Sequence, residues 1–320
     1  MSNEGPLIVE AGAIRLDKFL ADRYPGYSRA HLKDLAIRGC VFVNGTAAKP
    51  SKILAEGDKI LVRFPGALPE SDGSVLEGRV LFEDKAVLIL DKPAGLLMHP
   101  FGGSWLVKPR AAMEDSILNL AGVLYSERPE IAAAKVARCG IVHRLDRPTS
   151  GALVVAKTPA AYESLLFQFR ERLVKKVYLA VVLGKVSERE LVIDAPVGRA
   201  PRGRRVTANP FGRESSTGLR LLSALDAASL LEARPLTGRT HQIRAHLSLA
   251  GHPVLGDPSF GSAAPAGIEV PRLMLHALNL EFMHPVTGRK VAFRAEPPAD
   301  FLKCWRDLGG RPPRRPASRA

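Results

Sequence analysis

In the stretch His143-Arg144-Leu145-Asp146-Arg147-Pro148-Thr149-Ser150-Gly151 one carboxylate stands between two guanidinium groups. Cations close to an acid favour its ionised form, so Asp146 is set up to act as a nucleophile or a general base. Pro148 fixes one backbone torsion and Gly151 permits a close backbone approach, so the stretch reads as a tight turn. Ala152 to Ala156 is too short for a helix and rich in valine, and reads as a buried strand with the turn at its mouth. A lone aspartate in a turn is by itself usually a cap or an ion-pair partner, so the case for Asp146 needs other segments to converge on it. Asp91 and Asp257 compete for the role, and both read as strand-end or turn residues. His241, His246, His252 and His276 invite a metal reading. Positions five apart do not share a helix face, and cysteine and acidic partners are missing, so no metal site is expected.

The chain that must position these groups has 320 residues, enough for a catalytic domain plus a smaller module. Its 46 Lys and Arg against 32 Asp and Glu leave a net charge of +14, which predicts a polyanionic partner, nucleic acid first among them, and a salt-dependent affinity. No apolar run reaches transmembrane length and the first residues do not resemble a signal peptide, so the protein is expected in the cytoplasm. Cys40, Cys139 and Cys304 are scattered, which argues against a disulfide framework or a zinc site.

Four pieces follow from the pattern: residues 1–64 as a small α/β module, 65–76 as a linker, 77–308 as the catalytic domain and 309–320 as a disordered basic tail. In the first, Leu16, Phe19 and Leu20 line one helix and Ser28 begins a second carrying Leu32 and Leu35. Val41 to Val43 then reads as a strand, Asn44-Gly45 as a hairpin turn, and Gly57 to Val62 as the returning strand. In the large piece, strands are expected near residues 80–82, 87–90, 177–183, 191–193, 220–222, 230–233 and 290–294. Helices are expected at Met113 to Tyr125, after Thr158-Pro159 with Tyr162, Leu165, Leu166 and Phe169 as a core stripe, and at Thr240 to Ala250. The class is α+β, with a mixed, mainly antiparallel sheet and flanking helices. Between Arg199 and Arg220 six arginines meet a single glutamate, which reads as a basic hairpin able to lie along an RNA backbone through residues such as Arg202, Arg204 and Arg205.

His143 to Gly151 resembles the catalytic signature of the RluA-type pseudouridine synthases. Asp91-Lys92-Pro93-Ala94-Gly95, Lys176 to Gly184 and Leu236 to His246 resemble that family's other motifs in the same order. The resemblance runs from about Val80 to about Pro297 and implies isomerisation of uridine in structured RNA. The bond from ribose to a ring nitrogen breaks, the uracil turns, and ribose joins a ring carbon. That needs a carboxylate, a general base and a cation, and consumes no cofactor. By resemblance Asp146 is the nucleophile, Tyr178 packs under the base and is a candidate for proton transfer, and Arg239 pairs with Asp146. Arg144 would fill the gap left by the flipped uridine. Phe260 stands where the family usually has tyrosine.

The first module resembles the RNA-binding domain of small-subunit ribosomal protein four, with Arg29, Lys33 and Arg38 as phosphate contacts. That appended module implies ribosomal RNA of the large subunit as substrate, with transfer RNA as the alternative. A monomer without an obligate protein partner is expected. The rival from another class is a non-catalytic RNA-binding assembly factor, and a retaining glycosidase would need a second carboxylate beside Asp146.

Overall fold

The computed structural model describes residues 7–10, 12–24, 29–37, 41–62, 74–100, 104–107, 112, 118–199, 206–261 and 264–311. The expected roles of Arg38, Arg202, Arg204 and Arg205, most of the linker, and the tail from 312 lie outside them. The chain divides into two compact units, residues 1–75 with 99–129, and residues 76–98 with 130–320.

In the first unit, β1 (Leu7–Ile8), β2 (Ile14–Arg15), α1 (Leu16–Arg23), α2 (Arg29–Ile37), β3 (Val41–Val43), β4 (Thr46–Ala47), β5 (Ile53–Leu54) and β6 (Lys59–Val62) follow in order. Leu16, Leu20, Leu32, Leu35, Val41 and Ile60 form its core. Asn44 and Gly45 both take positive φ, the torsions of a hairpin turn, but the strand they return is β4. The expected partner β6 pairs on the other side of β3, giving the order β1-β6-β3-β4.

Residues 99–129 depart from the expected continuous catalytic piece. The carboxylate of Glu127, at the end of α4 (Leu120–Glu127), accepts from the Ser74 hydroxyl and, at 2.8 Å, from the Val75 N–H, which ties this segment to the chain before residue 76. The Asn119 side chain caps α4 through the N–H of Gly122 at 2.9 Å. The helix starts seven residues later than expected, and residues 113–117 are not described. A single turn, α3 (Ser104–Val107), precedes it.

The second unit is a nine-stranded sheet. Its strands are β7 (Val80–Glu83), β8 (Val87–Lys92), β9 (Ser150–Ala156), β10 (Lys175–Leu183), β11 (Glu190–Asp194), β14 (Ser216–Ala224), β15 (Ala228–Pro235), β16 (Leu275–Met283) and β17 (Lys290–Arg294). The order is β11-β14-β15-β10-β16-β9-β8-β7, with β17 also on β16. Only the short contact of β9 with β16 is parallel, so the sheet is mixed and mainly antiparallel. A two-stranded ribbon, β12 (Val197–Arg199) with β13 (Val206–Ala208), stands apart from it. The helices are α5 (Pro129–Ala133), α6 (Pro159–Arg170), α7 (Gln242–Leu249) and α8 (Ala299–Asp307). Thr158 caps α6 by accepting from Ala161 N–H at 3.2 Å, with Pro159 at the first helical position, where its missing N–H is harmless.

The parallel contact fixes the mouth of β9. Gly151 has φ of 116°, and a Cβ there would lie 2.2 Å from the Ala277 carbonyl oxygen. Gly151→Ala is therefore expected to cost about 3 kcal/mol or more, since both backbones would have to separate. The measurement is the urea midpoint, and an unchanged midpoint would mean that the strands part easily. Beside it, the buried Ser150 hydroxyl meets His276 Nδ1 at 2.9 Å, and His276 Nε2 meets the Ala295 carbonyl at 2.9 Å.

Burial pushes His276 down from 6.5 to about 4. Between those values the unfolded chain binds a proton that the folded chain refuses. This contribution to stability is therefore present above pH 6.5 and lost as pH falls toward 4, by about 3 kcal/mol in all. Urea midpoints of the wild type should fall more steeply over that range than those of His276→Gln, and parallel profiles would remove His276 from the account.

Candidate active site

Asp146 lies in the turn entering β9, beside a cavity of about 560 Å³ in the second unit. Its Oδ2 accepts from Arg244 Nη1 at 2.9 Å. The same guanidinium grips Asp257 with two bonds, Nε to Oδ2 at 2.6 Å and Nη2 to Oδ1 at 2.7 Å. Asp257 is completely buried and also accepts from the N–H groups of Ser259 and Phe260. Arg244 belongs to the first turn of α7, where side chains lean back toward the helix N-terminus, and this carries its fork under Asp146.

Arg239 does not make the expected pair. Its Nε donates to the Glu214 carbonyl at 3.2 Å at the cavity wall, and the cation on Asp146 is Arg244. The residues differ because Arg239 precedes α7 in an irregular segment, whereas Arg244 is inside the helix among buried neighbours. An arginine flanked by Ile243, Ala245 and Leu247 was the available signal, because a buried guanidinium must find a carboxylate.

The sequence neighbours of Asp146 are also directed elsewhere. Arg147 Nε donates to the Gly95 carbonyl at 2.9 Å, and Arg144 is exposed at the cavity wall. Among the described residues neither forms an ion pair with Asp146, so a local sandwich of charges is replaced by one cation from 98 residues away. Lys92 clamps the two turns together. Its buried Nζ donates to the carbonyls of Pro93, Leu96 and Arg147 at 2.8, 3.0 and 3.3 Å. Burial pushes this amine down to about 7, with nearby Asp146 opposing the shift.

Tyr178 comes to the cavity from β10. Val177 faces Asn279 while Tyr178 faces Ala277, so Leu278 is one residue too many on β16. Such a bulge re-aims side chains, and here it falls at the tyrosine. Burial, and then the charge of Asp146, hold the phenol well above its usual value. Tyr178 is therefore a neutral hydroxyl at pH 7, able to stack or to donate a hydrogen bond but not to serve as a phenolate base.

Two further side chains line the cavity. His241 takes the left-handed conformation at φ of 56°, a costly torsion for a residue with a Cβ, and its Nε2 lies 3.7 Å from Asp146 Oδ1. Burial lowers its basicity, with Asp146 opposing. Lys176 donates to the Thr237 carbonyl at 2.9 Å, and burial pushes it down to about 8. His143 supports β9 from below. Its Nε2 accepts from Val154 N–H at 3.1 Å, its ring stacks on Phe169, and burial followed by the charge of Lys176 pushes it down to about 3.

Part of the expected core stripe of α6 serves the cavity. Tyr162 and Leu165 are buried, whereas Leu166 and Phe169 line the pocket as an apolar wall. Gln242, rather than His241, secures Arg239, its Oε1 accepting from the Arg239 N–H at 3.0 Å. His246 bonds Thr217, Ser215 and the Ala195 carbonyl, and His252 bonds the Leu183 carbonyl, so these rings are engaged in packing. In the first unit Arg29, expected to contact phosphate, pairs with Asp17 at 3.1 Å, where Arg15 also binds. Lys33, one helical turn on, is half-buried.

A carboxylate with one oxygen ion-paired and the other beside an open cavity can attack an electrophilic carbon or remove a proton. Residues 86–249 match the RNA pseudouridylate synthase family and residues 14–60 match the S4 domain. The chain is 39% identical over 299 residues to the ribosomal large subunit pseudouridine synthase D of Nitrosomonas europaea, covering 90% of this chain and 82% of that one. It is 36% identical over 307 residues to the protein of that name from Zymomonas mobilis, covering 92% and 93%. Human RNA pseudouridylate synthase domain containing 4 shares the fold with a TM-score of 0.59 at 24% identity, over 75% of this chain and 96% of that structure. This chain accordingly belongs to the RNA pseudouridine synthases of the RluA type, isomerases acting on RNA, and carries an S4 domain in its N-terminal part.

Proposed function

We propose that this protein converts specific uridines of large-subunit ribosomal RNA to pseudouridine, as a cytoplasmic monomer that needs no cofactor or obligate protein partner. The observation that carries the chemistry is Asp146 at an open cavity, paired to Arg244 and flanked by the neutral phenol of Tyr178. The names of the relatives and the S4 domain support the ribosomal substrate. Among the described residues no helix is long and apolar enough to cross a membrane.

In this reading Asp146 either bonds the nucleoside and is displaced again when the new bond forms, or takes a sugar proton and returns it at that step, and in both cases uracil is released from C1′ of ribose. The base turns against Phe169 and Tyr178, C1′ joins C5, and the proton leaving C5 is balanced by one gained at N1. Arg244 holds the carboxylate, and Arg239 and Arg144 line the path of the RNA backbone. Arg144, exposed at the cavity wall, fills the stack once the uridine has flipped out, a role its planar guanidinium suits.

The test is pseudouridine mapping of total RNA from a deletion strain and from the same strain with the chain restored. Loss and recovery at sites in large-subunit ribosomal RNA are expected. Changes confined to transfer RNA would overturn the substrate, and no change in any RNA would overturn the activity in that cell.

A further inference from the structure

We infer that Phe211 is a stacking platform for an unpaired base of the RNA, next to the uridine that enters the cavity. Among the described residues it is the most exposed large hydrophobic side chain, at 83%. Its backbone, by contrast, is firmly held. The Asn209 side chain donates to the carbonyls of Gly198 and Thr207, both at 3.1 Å, and accepts from the Phe211 N–H at 3.1 Å. The Gly212 N–H donates to the Asn209 carbonyl at 2.9 Å, and Val197 and Arg213 exchange backbone bonds at 2.9 and 3.0 Å. Gly212 packs so closely on β12 that a Cβ there would lie 2.5 Å from the Val197 carbonyl carbon. A turn this well buttressed holds an aromatic ring that is packed against no other ring among the described residues, and it offers a flat apolar face at little ordering cost.

Two further observations choose the occupant. The segment from Arg199 to Arg220 carries six arginines against one glutamate, which suits a polyanion with regularly spaced phosphates and does not suit a purely apolar surface. The turn is also connected to the cavity wall through the residues that follow it. Arg213 is two residues on, its charge acts on Arg239, and Arg239 bonds the carbonyl of Glu214. A strand whose uridine lies at Asp146 would leave the cavity past Arg239 and Arg213, placing a neighbouring nucleotide at Phe211. Bases stack on such rings regardless of sequence, so the platform would set how the RNA is threaded and not which base is read.

This rests on the reading that the cavity takes a uridine from RNA, and the experiment separates the two. The full-length protein is titrated with an unmodified transcript of large-subunit ribosomal RNA, and turnover is followed on the same transcript. Phe211→Ala is expected to weaken binding about tenfold while kcat at saturating RNA stays within twofold. Phe211→Trp should restore affinity and Phe211→Leu should not. The slope of log Kd against log salt should stay unchanged in Phe211→Ala and fall in Arg213→Ala, because a ring releases no counterions. Wild-type affinity in Phe211→Ala, or equal rescue by leucine, would overturn the platform while leaving the isomerase intact. A wild type that neither binds nor converts the transcript would overturn both.

Discussion

Asp146→Asn is expected to slow isomerisation by about 10⁴-fold or more in single-turnover assays, with RNA affinity within about twofold of wild type. The amide has nearly the shape of the carboxylate but neither its negative charge nor its basicity. The fold should tolerate it, because Arg244 keeps both bonds to Asp257 when its bond to Asp146 weakens. Release of the C5 hydrogen from RNA labelled at that position follows the reaction directly. A residual rate within tenfold of wild type would remove Asp146 from the chemistry.

Arg244→Met should damage both stability and rate, and for separable reasons. It leaves the fully buried carboxylate of Asp257 without its cation, and breaking a buried pair in this way costs about 3–5 kcal/mol. It also frees Asp146 to rotate out of line with the cavity. Adding Asp257→Asn should recover part of the stability, by removing the stranded charge, without recovering activity. Arg239→Ala is the contrast, since that side chain bonds one carbonyl and holds no buried carboxylate, and its effect should fall mainly on RNA affinity. Urea unfolding and single-turnover rates on the four proteins decide the matter. If Arg239→Ala lost more activity than Arg244→Met, the assignment of the cation would be reversed.

The turn bearing Asp146 and the strand behind it were legible because local chemistry dictates them: Pro148, Gly151 and a valine-rich run leave few alternatives. Tyr178 was legible only through its motif, since the bulge that aims it is set by its pairing with β16. That strand itself gave no local signal. Leu275 to Met283 holds leucine, alanine, asparagine and glutamate rather than β-branched residues, and its extended form comes from neighbours on both sides. Helix α8 was missed for a related reason. It follows Pro297 and Pro298 without a side-chain cap, and the burial of Phe301, Cys304 and Trp305 holds it in place. Arg244 and His241 were passed over because sequence distance hides partners that a helix start brings to a remote turn.

At the bottom of the cavity Asp146 is ion-paired to Arg244, whose other donors grip the buried Asp257 behind it, while Arg144, Arg172 and Arg239 stand along its walls. The guanidinium at the bottom is engaged by two carboxylates, whereas the arginines above it face the cavity and attract phosphate. A nucleotide arriving here is thus sorted by its own polarity before any shape is sensed. Its anionic backbone is detained at the threshold, and the uncharged nucleobase is the part free to descend.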